Sequence, residues 1–177
     1  STSVRVGASG TRVDVVRAHA EPRAPTSAES ERVLVFCVAD RFCALPLSAV
    51  VETMRPLPVA PIRGAHPCVL GAAIVRGEPT PAVDLARLVF DATGPVTRFL
   101  RVREAPRSVV LAVGDALGVF EASALSPTVL PALLATARPE AVEALGRIDR
   151  ELVLLLRGGC TVPPSVFESL AFEARSR

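Results

Sequence analysis

Two stretches decide the fold class. Val35–Val50, VFCVADRFCALPLSAV, and Val110–Leu125, VLAVGDALGVFEASAL, align without a gap at an offset of 75 residues. In that register Val38 falls on Val113, Asp40 on Asp115, Ser48 on Ser123 and Ala49 on Ala124. Each stretch is a pair of short apolar runs about a polar turn, the pattern of a β-hairpin. A repeat of this length is too long for a solenoid unit and suits two similar small β-barrels in tandem.

Working outward, the same character holds from Arg32 onward. RVLVFCVA, FCALPL, RFLRVREA, RSVVLAV and ALGVFEA are strand-sized runs separated by Gly, Pro and Asp. They are apolar on both faces, so each sheet must be covered twice. Helices are few. Asp84 is placed to cap LARLVF, and PEAVEALGRI, following Arg138, opens with a proline suited to the first helical position. A C-terminal helix is predicted over 163–176, with Val166, Phe167, Leu170 and Ala171 on one stripe. Residues 1–31 are small, polar and proline-containing, and are predicted to be a flexible tail in which RVDVV offers at most a short strand. The prediction is therefore an all-β domain over 32–177. It comprises two interleaved barrel subdomains, roughly 32–95 and 96–160, and the terminal helix.

Composition removes several functions. Half of the 177 residues are apolar and 21% are charged, which suits a globular chain. No uninterrupted apolar run reaches the roughly 18 residues of a membrane span, so direct membrane insertion is not expected. The net charge of +2 is too small to imply a polyanionic partner. All 20 basic residues are arginine, while Lys, Asn and Gln are absent, a pattern of biased codon usage rather than of phosphate binding. Seven Phe are the only aromatics, which leaves little for stacking on bases. Cys37, Cys43, Cys68 and Cys160 form no C-x-x-C pair, and no secretory-type segment opens the chain as given. They are expected to be reduced thiols in a cytoplasmic protein.

Catalysis lacks a candidate. The two histidines are His19, in the predicted tail, and His66, in a GAHPC loop; neither accompanies a nucleophile motif. His66 and Cys68 give two potential metal ligands with no second pair to complete a site. There is no phosphate-binding glycine loop and no lysine to serve one. Glu140 and Glu143 lie one turn apart on the predicted helix, the spacing of a solvated face. No enzyme, cofactor or metal is expected.

One charge stands out. Arg76 follows the apolar and small residues Ala72–Val75 and precedes a Gly-Glu-Pro turn signal, at the edge of an otherwise buried element. Around it runs VLGAAIVRGEPTPAVDLARLV, preceded by VVETM and the proline-rich PLPVAPIRGAHP, and flanked by the two hairpins. This ordered set resembles the CheW family, adaptors that couple chemoreceptors to the histidine kinase CheA in bacterial chemosensory signalling. The family motif is a glycine, a short spacer, Asn-Leu-Arg-Gly, then Pro-hydrophobic-Val-Asp-Leu. Gly71, Arg76, Gly77, Pro81, Val83, Asp84 and Leu85 fall on its positions.

The resemblance covers about Val33 to Phe172. It implies two five-stranded SH3-like barrels with a hydrophobic groove between them, and no active site or cofactor. It implies as partners a chemoreceptor's cytoplasmic tip and the regulatory domain of a CheA-type kinase. It implies interaction residues at Val50, Glu52, Met54, Ile74, Val75, Arg76 and Gly77, with Glu52 and Arg76 paired on neighbouring strands. Ile74 and Val75 replace the family's Asn and Leu. After the second hairpin, EASALSPTVLPALLATARPE is short and contains prolines where pairing should continue, so one strand of the second barrel is expected to be lost or replaced. That suggests a divergent accessory member unable to extend receptor arrays. The alternative is a β-barrel nucleic-acid-binding module built on Arg98, Arg101, Arg103 and Arg107.

Overall fold

The computed structural model describes residues 13–17, 32–104, 107–122, 141–148, 151–159 and 161–168. Among the described residues, twelve strands form two six-stranded sheets. The first contains β1 (Val13–Arg17), β2 (Arg32–Val38), β3 (Arg41–Pro46), β10 (Ala116–Glu121), β11 (Val142–Ile148) and β12 (Glu151–Leu156), in the order β1-β11-β12-β3-β2-β10. The second contains β4 (Val50–Met54), β5 (Val59–Ala60), β6 (Val69–Val75), β7 (Glu78–Asp84), β8 (Arg98–Glu104) and β9 (Arg107–Val113), in the order β4-β8-β9-β7-β6-β5. Every pairing is antiparallel except β12 with β3 and β7 with β9. Both sheets are SH3-like and barrel-like, as the family resemblance implied.

The two sheets share one plan. In the first, the hairpin β2–β3 lies parallel to the hairpin β11–β12 through β3 and β12. In the second, β6–β7 lies parallel to β8–β9 through β7 and β9. The two sheets are related, but not through the 75-residue repeat: the counterpart of β2–β3 is β6–β7, and the stretch Val110–Leu125 is not a hairpin. β9 belongs to the second sheet and β10 to the first. At Gly114 the chain bends rather than reverses: Gly114 N donates to Cys37 O at 2.8 Å and Cys37 N to Asp115 O at 2.8 Å, which carries the strand onto β2. The predicted division near residue 95 therefore does not separate the sheets. Residues 50–113 build the second, while the first draws on both sides of that span.

Apolar residues on both faces of the strands have the cause anticipated. Leu34, Phe36 and Val38 of β2, with Val109, Leu111 and Val113 of β9, enter the main core, joined by Leu85, Leu88 and Val89. The alternate residues Val33 and Val35 pack with Ala44, Phe120 and Val153, while Val110 and Ala112 pack with Val75 and Phe99. Three cores result, one shared and one belonging to each sheet. Asp84 caps α1 (Leu85–Phe90) as predicted, its Oδ1 accepting from Ala86 N at 3.0 Å and Arg87 N at 3.2 Å.

Three expectations need correction or restatement. The helix expected in PEAVEALGRI is strand β11: its ladder to β12 and to β1 overrides the local signal. The short strand weakly signalled before residue 31 is β1, paired with β11, so that part of the predicted tail belongs to a sheet. The sheet carrying β10, β11 and β12 reaches six strands with β1 at one edge, and the proline-containing segment 123–140, where a strand was expected to be lost or replaced, lies outside the described residues. Residues 164–168 are helical, with Val166 buried, and the rest of the predicted terminal helix also lies outside them.

Candidate interaction surface

The β6–β7 hairpin turns through Arg76 and Gly77, with Val75 paired to Glu78. Their φ values are +52° and +84°, two positive angles in a two-residue loop, as in a type I′ turn. Glycine accepts this freely; arginine does not, and Asn would be the easier residue at that position. The side chain of Arg76 gives the reason for its presence. Its Nε donates to Glu52 Oε1 at 2.9 Å and to Oε2 at 3.1 Å, and its Nη2 donates to Oε2 at 2.7 Å. This is a bidentate fork on a carboxylate.

Glu52 and Arg76 are not on neighbouring strands. Glu52 is on β4, one end of the second sheet's order, and Arg76 is at the tip of β6–β7, near the other end. The sheet curls, and the fork crosses the seam that its backbone ladder leaves open. Arg101, opposite Glu52 on β8, extends the cluster: its Nη1 lies 3.5 Å from Glu52 Oε1 and its Nη2 3.3 Å from Glu78 Oε2. Two guanidinium and two carboxylate groups cancel in charge, so the cluster offers geometry rather than a net field. Hydrogen bonds from Arg76, and secondarily from Arg101, hold the Glu52 carboxyl below the usual carboxylate range. Glu52 in turn raises Arg76.

Exposure divides the cluster. Arg101 is 14% exposed and Glu52 21%, while Arg76 is 73% exposed. Arginine has five N–H donors, so the outer edge of Arg76 remains available to a partner. Beside it, the outward face of the hairpin is apolar. Leu70, Ala72 and Ile74 alternate on β6, with Ala72 opposite Pro81 and Ile74 opposite Pro79. Ile74 is the most exposed large apolar residue described, at 61%, and Leu70 and Val51 are exposed as well. The prolines cannot donate to a further strand, and the ladder to β9 starts only at Ala82. This part of β7 is thereby kept open.

The seven residues named from the sequence separate accordingly. Glu52, Ile74, Arg76 and Gly77 meet at this surface. Val75 is buried at 2% exposure inside the second sheet's core, where Met54 also packs. Val50 packs against the shared core, because a bulge between Val50 and Glu52 turns it to the other face. Those three support the hairpin and do not present it. Sequence reading missed Arg101, Glu78, Leu70, Pro79 and Pro81. The alternation in VLGAAIV was the available signal for the apolar face.

The arginines of the nucleic-acid alternative are engaged differently. Arg101 is in the cluster, Arg103 donates to Ser48 O at 3.2 Å and Arg98 to Thr97 O at 2.9 Å. β8 lies between β4 and β9, not at an edge. Among the described residues no three His, Cys, Asp or Glu side chains are placed to hold a metal ion, and no helix is long and apolar enough to cross a membrane.

A family model described as the CheW-like domain matches residues 32–159. The chain belongs to that family. The CheW-like domain family is one of non-enzymatic scaffolds in chemotaxis signalling. Among solved structures, this CheW-like domain is similar to the scaffolding protein TtCheW from Thermoanaerobacter tengcongensis. The two are 18% identical, with 72% of this chain and 88% of that one covered and a TM-score of 0.61. At that identity the likeness is one of fold. No curated protein matches the chain.

Proposed function

We propose that this CheW-like domain is a cytoplasmic adaptor that couples a chemoreceptor to a CheA-type histidine kinase. Its contact surface is the apolar face of the β6–β7 hairpin together with the outer edge of Arg76. The observation that carries this reading is the combination of a 61% exposed Ile74 with an Arg76 fixed by a bidentate fork yet 73% exposed. A side chain held in one geometry while facing water loses little entropy when a partner arrives. Ile74, Leu70 and Pro79 supply apolar area for a helical receptor tip, and Arg76 adds directional donors at its rim.

The test is a calorimetric titration of the full chain against the kinase regulatory domain and, separately, a receptor-tip fragment. Binding in the micromolar range, on the order of −8 kcal/mol, is expected for at least one partner. Arg76→Asn suits the turn and removes the fork, so it separates recognition from folding. It should weaken binding while circular dichroism stays that of the wild type, and Ile74→Glu should do the same for the receptor fragment. Wild-type affinity in both variants would overturn the assignment of this surface.

A further inference from the structure

The loop leading into β6 carries a thiol and an imidazole that the adaptor function does not use. Cys68 Sγ lies 3.0 Å from His66 Nδ1. The backbone N–H of Cys68 also donates to that nitrogen, at 3.3 Å. A backbone amide can only donate, so Nδ1 presents its lone pair here, and the thiol proton is the group that can point at it. Cys68 is 1% exposed as a residue, but it and His66 line a cavity of about 460 Å³, together with Pro67, Arg87, Leu88 and Thr93. Reagents therefore reach it only through that cavity.

The other described cysteines are unlike it. Burial pushes the Cys37 thiol up, and the Asp115 carboxylate pushes it further. Cys43 is wholly buried and raised well beyond the ordinary thiol range by desolvation. For neither thiol is an imidazole contact of the Cys68–His66 kind found among the described residues. A thiol beside an acceptor nitrogen is the arrangement that yields thiolate, the reactive form.

We propose that Cys68 is an oxidisable thiol, activated by His66, that reacts with small hydroperoxides entering this cavity. The Sγ–H proton passes to His66 Nδ1 and the sulfur attacks the terminal peroxide oxygen. An S–O bond forms and the O–O bond breaks. The departing hydroxide or alkoxide takes the proton from the imidazolium, so Cys68 ends as a sulfenic acid and the peroxide as water or an alcohol. The product has a structural consequence within reach. Cys68 O accepts from the backbone N–H of Asp84, at 2.7 Å, and Asp84 caps α1, whose Leu88 and Val89 wall the same cavity. Added bulk at Sγ presses on that helix and, through it, on the shared core.

The experiment treats the full chain with hydrogen peroxide in the presence of a sulfenic-acid trap, and in parallel with iodoacetamide, and maps every cysteine by peptide mass. Cys68 should be modified first in both, and a bulky polymer-linked maleimide should react with it far more slowly than iodoacetamide does. His66→Ala should slow Cys68 modification by about a hundredfold, the usual scale of a positioned base, while leaving Cys37 unchanged. Because the wild-type order of reaction needs no variant, a misfolded His66→Ala does not blunt the test. Cys37 reacting before Cys68, or a Cys68 rate indifferent to His66 in a folded variant, would overturn the proposal.

Discussion

The hairpins β2–β3 and β6–β7 occupy equivalent places in the two sheets, and their loops are built alike. Each turns in two residues, Ala39–Asp40 and Arg76–Gly77, and each begins with a non-glycine residue at nearly the same positive φ, +54° and +52°. Their surroundings differ. Gly94 is pressed against Ala39, so closely that a Cβ on it would stand 2.5 Å from Ala39 Cα. Around Gly77 a Cβ would meet nothing within 4 Å. Both loops carry an exposed charge, Asp40 and Arg76, but the first is packed at its base against Gly94 and the second is not packed at Gly77. The same left-handed first residue thus serves stability in one sheet and presentation in the other, although the second residue has a positive φ only at Gly77 and not at Asp40.

This contrast can be broken at several points. The largest effect belongs to Gly94→Ala, which forces backbone apart beneath the first loop; a loss of about 3 kcal/mol in denaturant unfolding is expected. Gly77→Ala, its counterpart in the second loop, meets only the φ penalty and should cost about 1 kcal/mol. Ala39→Gly relieves that same penalty and should gain roughly 0.5 kcal/mol after the entropy of the freer unfolded chain is counted. If Gly94→Ala and Gly77→Ala were equal in effect, the distinction between a packed and a presented loop would fail.

Two carboxylates sharpen it through pH. Glu52 has a lowered folded pKa, so its contribution is full above the ordinary glutamate range and is lost as pH falls through the folded value. Arg76→Asn should flatten that acid limb in pH-dependent thermal unfolding. Glu104, 3% exposed, accepts from Thr161 N at 3.0 Å, tying β8 to the segment after β12. Burial raises its pKa, so ionising it costs stability as pH rises. Glu104→Gln keeps an acceptor and removes that cost: its melting temperature should exceed the wild type's at alkaline pH and converge with it in acid. This is the smallest expected change, and an unchanged alkaline limb would argue that Glu104 is solvated in solution.

Much of the fold was legible in the sequence because two-sided apolar strands leave a strong trace. Leu34 and Phe36 face one core while Val33 and Val35 face another, and no surface strand would read so. What misled was the phase of the repeat. VFCVADRF and VLAVGDAL match letter for letter in pattern, yet one reverses at Ala39 and the other bends at Gly114 onto β2. Only long-range pairing separates a turn from a bend. The helix signal in PEAVEALGRI failed for a similar reason, since β12 and β1 supply partners that a local window does not contain. In the candidate cluster, Arg76 was named from its motif position and Glu52 from the family resemblance. Arg101 was read as part of a basic strand because its carboxylate neighbours lie on β4 and β7, distant in the chain. Ile74 stood among residues that look like core, and nothing in one dimension tells an apolar face in water from one that is buried.

The interleaving of the strands also sets an order of assembly. Residues 50–113 contain every strand of the second sheet, so its ladder can close while the chain is still being synthesised. The first sheet cannot. β2 and β3 are made early, but β3 waits for β12, and more than a hundred residues separate them. Through that interval the β3 edge of the hairpin has no partner, while β2 gains one only when β10 is made, the condition in which nascent β-structure aggregates. β12, the last of the described strands, is the one that releases the chain from that hazard.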